Sequence, residues 1–61
     1  MLITLEEAEL ALVREMLEAE GRDLRHEIHY TDRPEYKQEL KARLRTVEGL
    51  LAKMPERAAG A

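Results

Sequence analysis

No cysteine occurs among the 61 residues, so no disulfide can staple the fold. Two histidines are too few to make metal the expected staple. Phenylalanine and tryptophan are absent, and valine, isoleucine and threonine are sparse, so strand propensity is low throughout. Serine is absent as well as cysteine, and no glycine-rich segment resembles a phosphate loop. These gaps remove the usual nucleophiles and the usual nucleotide cradle, and the chain is expected to be no enzyme and to use no cofactor. No apolar run approaches the ~18 residues of a membrane span. Met1-Leu2-Ile3-Thr4-Leu5-Glu6-Glu7 lacks the basic start and apolar stretch of a secretory signal, which leads to the expectation of a cytoplasmic protein without membrane contact.

What remains is rich in alanine, leucine, glutamate, lysine and arginine, a helix-forming set that predicts an all-α fold. A chain this short buries only ~60% of its unfolded surface, and with disulfides excluded, oligomerisation becomes the expected source of stability. The net charge of −3 with both signs intermixed predicts a well-solvated surface and makes nucleic acid an unexpected partner.

Two helices are predicted, over residues 5–30 and 34–54, with a turn at 31–33 and a flexible tail at 55–61. Thr4-Leu5-Glu6-Glu7 fits a capping box at the start of the first. Pro34 disfavours the α conformation at Arg33 and suits a first helical turn, so it opens the second, with Thr31 or Asp32 as the expected cap. Pro55 closes it. Leu10, Val13, Leu17, Leu24 and Ile28 form one stripe at helical spacing, and Tyr36, Leu40, Leu44, Val47, Leu51 and Met54 form another. A short connection makes the helices antiparallel neighbours, so residues whose numbers add to about 64 should share a level. The paired levels are apolar except where Glu20 and Gly21 meet Arg43 and Leu44. There the expectation is a partly buried Glu20–Arg43 ion pair that fixes register, with Gly21 making room.

The first helix has a second apolar strip, Leu5, Leu12, Met16 and Ala19 with Ala8 beside it, which Leu50 of the second helix can help to line. One hairpin cannot cover both strips, so self-association into a homodimeric four-helix bundle is expected. Further protein partners stay open.

Three constellations compete with this reading. Arg22, Arg25, His26, His29, Lys37, Lys41 and Arg45 form a candidate anion patch, set against a solvated face balanced by Glu27, Glu39 and Glu48, or against charge pairing within an assembly. Asp23, His26 and His29 have i, i+3, i+6 spacing but lack the histidine and glutamate pattern of a metal bundle, so no metal site is assigned. Glu20, Arg43 and Tyr36 are read as structural, because a hairpin of this length encloses no enzyme-sized cavity.

The stretch Asp23-Leu24-Arg25-His26-Glu27-Ile28-His29-Tyr30-Thr31-Asp32-Arg33-Pro34-Glu35-Tyr36-Lys37-Gln38-Glu39-Leu40-Lys41 resembles the centre of a group of short uncharacterised bacterial proteins. They share Asp-Leu-Arg, Glu-Ile, Thr-Asp and a Glu-Tyr that opens the second helix. The resemblance spans roughly residues 4 to 54 and implies a helical hairpin with no assigned activity. In length and shape the chain is also similar to plasmid copy-number regulators, whose hairpins dimerise into four-helix bundles and bind paired RNA. That likeness is architectural and implies, at most, an RNA-binding hairpin dimer that uses the basic helix face.

Overall fold

A computed structural model describes residues 2–55. Apart from Pro55, the expected tail lies outside the described residues. Two helices, α1 (Glu7–Tyr30) and α2 (Pro34–Lys53), run antiparallel and pack against each other. The arrangement is one layer of helices, with extents of 42 × 26 × 14 Å. Its thinnest dimension is close to the ~10–12 Å diameter of a single helix with its side chains.

Helix α1 starts two residues later than the Thr4 capping box predicts. The glutamate box one step on is used instead: the backbone N–H of Glu6, in extended conformation, donates to Glu9 Oε1 at 2.9 Å. Acidic Glu7 and Glu9 in the first turn also complement the positive end of the helix dipole.

The turn is built by Thr31 and Pro34. Thr31 ends α1, its N–H donating to the Glu27 carbonyl at 2.9 Å. Its Oγ1 then accepts from the Arg33 N–H at 3.3 Å, bending the chain within the turn rather than capping α2. Arg33, not Thr31 or Asp32, is the N-cap of α2, and its extended backbone (φ −96°, ψ 108°) is the conformation that a following proline favours. At the other end Met54 is the C-cap, so α2 stops one residue short of the predicted boundary.

Leu24, Leu40 and Val47 are the buried apolar residues among those described, with Leu17, Ile28, Leu44 and Leu51 packed around them. These seven come from the two predicted stripes. Leu10, Val13 and Met54, toward the open end of the hairpin, are only half-buried, and Tyr36 near the turn is exposed. Gly21 is buried in α1 and faces Val47 rather than Leu44. A Cβ built on it would stand 3.7 Å from Val47 Cγ1 and 3.6 Å from the nearest Arg25 nitrogen, which are ordinary contact distances. Gly21 therefore does not make room that the packing requires, which corrects the sequence expectation.

Candidate functional site

Two polar contacts across the seam fix which residues lie on which side of the hairpin. Arg43 Nε donates to Glu20 Oε2 at 2.6 Å, and Arg25 Nη1 pairs with Glu48 Oε2 at 3.4 Å. Glu20 and Arg25 are five residues apart on α1, as are Arg43 and Glu48 on α2. Five residues at 100° each turn a side chain about 140° around the helix, so the two pairs mark opposite flanks.

Met16 stands one turn before Glu20 and Leu50 seven residues from Arg43, so both fall on the Glu20–Arg43 flank, whereas Leu12, eight residues before Glu20, is turned about 80° from it and borders a hollow with Ala11, Arg14, Glu15 and Glu18 on the outer face of α1. They are open to solvent: Leu12 is 56%, Met16 61% and Leu50 44% exposed, and Leu5 at the helix entry is 40% exposed. Ala8 beside them is exposed and Ala19 half-buried.

The same flank changes character toward the turn. Asp23 and Glu27 follow Glu20 at helical spacing, and Glu39 and Tyr36 lie one and two turns from Arg43 on α2. Glu20, Glu27, Tyr36, Glu39 and Arg43 line an open hollow floored by Leu24 and Leu40. Three carboxylates line this hollow with the Arg43 guanidinium, and a second guanidinium, Arg33, lies over the Tyr36 ring at its edge. The Glu20–Arg43 pair stands at the rim of this hollow with side chains 36% and 67% exposed, and no charged residue among those described is buried. The expected Glu20–Arg43 pair forms with Glu20 half-buried and Arg43 mostly exposed, because both side chains begin near the seam but are long enough to carry their charged ends toward water.

The Arg25–Glu48 flank is basic. Arg22 and His29 share the Arg25 side of α1, and Lys37, Lys41 and Arg45 share the Glu48 side of α2. All are exposed except Lys37, which is half-buried. Sequence reading interleaves Glu27 and Glu39 with these residues, but the fold sends both carboxylates to the opposite flank. Glu48 stays, bound to Arg25. His26 and His29 both lie against the exposed Tyr30 ring, with centroids 4.6 and 4.9 Å away, and Arg33 covers the Tyr36 ring at 5.7 Å. Asp23, His26 and His29 do not converge, and no group of three such side chains among the described residues is placed to hold a metal. No described helix is long and apolar enough to cross a membrane.

Half-buried Arg14, also on the basic flank, was missed by sequence reading. It reaches Glu18 at 3.5 Å, while its Nη1 is buried without a hydrogen-bond partner. No sequence signal marks it, since an arginine beside an i+4 glutamate reads as a solvated helix pair.

The chain matches no protein-family model, no curated protein and no solved structure.

Proposed function

We propose that this chain is a non-catalytic interaction module that works by pairing with a second copy of itself, forming a four-helix bundle through Leu5, Leu12, Met16, Ala19 and Leu50. One observation carries the reading: a single layer of two helices leaves this apolar flank open beside a core in which, among the described residues, three apolar side chains are buried. Stable domains cover such a face with a second layer, and a second hairpin supplies one of matching length and character. Sedimentation equilibrium at micromolar concentration should return about twice the chain mass, and Leu12→Glu should dissociate or unfold the assembly. A cooperatively folded monomer at every accessible concentration would sink the proposal.

A second reading is favoured by a different observation, the gathering of Arg22, Arg25, His29, Lys37, Lys41 and Arg45 on one flank with most carboxylates on the other. Such a surface suits the phosphates of paired RNA better than single strands, because both tyrosines lie outside it and offer no stacking platform there. The net charge of −3 opposes it. The first reading expects no binding to double-stranded RNA tighter than ~10⁻⁵ M at physiological salt, the range of non-specific contacts. Sub-micromolar binding that Arg22→Ala with Arg25→Ala weakens would put the second reading first.

A further inference from the structure

We propose that the second copy docks on the outer side of α1, so that the two α1 helices are the inner pair of the four and both α2 helices lie outside. This inference rests on the self-association just proposed and adds which helix makes the contact.

The direction from α1 to α2 is marked by Leu17, Leu24 and Ile28, which meet in the core. At 100° per residue, Ala8, Leu12, Met16 and Ala19 centre about 145° around α1 from that direction. Leu5 precedes the helix and is not placed by this count. The strip within α1 therefore faces away from α2. Leu12 and Met16 are its large members, 56% and 61% exposed, and exposed Ala8 and half-buried Ala19 beside them let a second backbone approach. Leu50 points elsewhere, about 90° around α2 from the mean direction of Leu40, Leu44, Val47 and Leu51, off the flat side of the hairpin. A helix on the outer side of α1 has its axis nearly two helix spacings, ~15–19 Å, from that of α2, which puts it out of reach of Leu50.

A copy laid flat on the Glu20–Arg43 flank would cover Met16 and Leu50 instead. It would also cover Glu9, Glu20 and Glu27, each within about 40° of Met16, and Glu39 and Arg43, each about 20° from Leu50. None of these five charged residues is buried in the single hairpin, and all would lose hydration. Docking on the outer side of α1 leaves them in water. Glu9 and Glu15 border the strip about 65° and 55° to either side of its centre, so their side chains stay at the rim whichever way the partner's α1 runs. Asp23 lies one turn past Ala19, beyond the end of the strip. A second copy fits this surface because it presents the same one, and a two-fold axis through the middle of the strip, roughly 17 Å long, lays apolar on apolar.

Gly49 marks the far edge of the hairpin. It is nine residues and hence about 180° from Leu40, and a Cβ there meets nothing within 4 Å. Val47 meets Gly21, which puts Gly49 near the level of Ala19 and the strip. The chain has no cysteine, so Gly49→Cys can carry a single spin label. Four helices nearly abreast, each ~10–12 Å across, should hold the two labels about 35–50 Å apart in pulsed dipolar spectroscopy, with dilution by unlabelled chain as the intermolecular control. Hairpins stacked flat keep the labels close, so a distance of roughly 25 Å or less would overturn the proposal while leaving the dimer intact. Sedimentation of the same sample separates the two levels of failure, since a monomeric mass would overturn the association itself. Two exposed substitutions give an independent check. Ala8→Arg should raise the dimer dissociation constant about tenfold or more, and Leu50→Lys should change it by less than about threefold. The reverse order would move the contact to the flat side and overturn the assignment to α1.

Discussion

Val47 closes the hairpin against α1 at Gly21, its Cγ1 standing 3.7 Å from where a methyl group on that glycine would lie. The site has the space of an alanine and holds a glycine within a helix. Gly21→Ala should raise stability by about 0.5–1 kcal/mol, the helix-propensity difference between the two residues, without displacing Val47. Thermal and denaturant unfolding of the two proteins at equal concentration checks this, and a destabilised variant would mean that the helices pack more closely here than the distances indicate.

The Glu20–Arg43 hydrogen bond is short at 2.6 Å but lies at the surface, Arg43 being 67% exposed. Exposed pairs contribute modestly, so a double-mutant cycle with Glu20→Ala and Arg43→Ala should return a coupling of about 0.2–1 kcal/mol that shrinks as salt rises. A loss of ~3 kcal/mol from either single change would instead indicate a charge left behind in a buried environment.

Leu24 and Leu40 are 3% and 6% exposed and occupy the same small core. Replacing either with alanine should cost about 2–5 kcal/mol, a large fraction of what a domain of this size possesses. Because both belong to one cluster, the two losses should not add: a departure of ~0.5 kcal/mol or more is expected from urea unfolding of the single and double variants. Strict additivity would place them in separate environments.

Self-association predicts mass-action behaviour of the unfolding transition. The midpoint temperature should rise with chain concentration in the parent protein, since dilution favours species that do not carry the interface. Met16→Lys, which replaces a 61% exposed side chain on the open flank, should remove or greatly reduce that dependence. A midpoint independent of concentration over a hundredfold range would count against an obligate dimer.

The positions of α1, the turn and α2 were legible in the sequence because each is signalled locally. Apolar residues recur at threes and fours, and Pro34 imposes an extended Arg33 whatever the rest of the chain does. The strip of Leu5, Leu12, Met16 and Ala19 was legible for the same reason, since residues on one helix share a face by spacing alone. The start of α1 was less so. Thr4 and Glu6 offer competing caps, and the chain uses Glu6, whose backbone N–H donates to Glu9.

The sequence by itself determined that this chain makes two amphipathic helices with a break at residues 31–33, because helical period, glutamate capping and proline geometry act over a few neighbouring residues. Only the tertiary structure decided how charge is divided. Glu27 is four residues from both Asp23 and Thr31 in any helix, but whether it shares a flank with Lys41 depends on how α1 is rotated against α2. That rotation is set by Leu24, Leu40 and Val47 meeting in the core. It sends Glu20, Glu27 and Glu39 to one side and Arg22, Arg25, Lys41 and Arg45 to the other. The same packing keeps Glu20 and Arg43 at the surface: apolar side chains fill the seam, and long charged ones retain their hydration by extending past it.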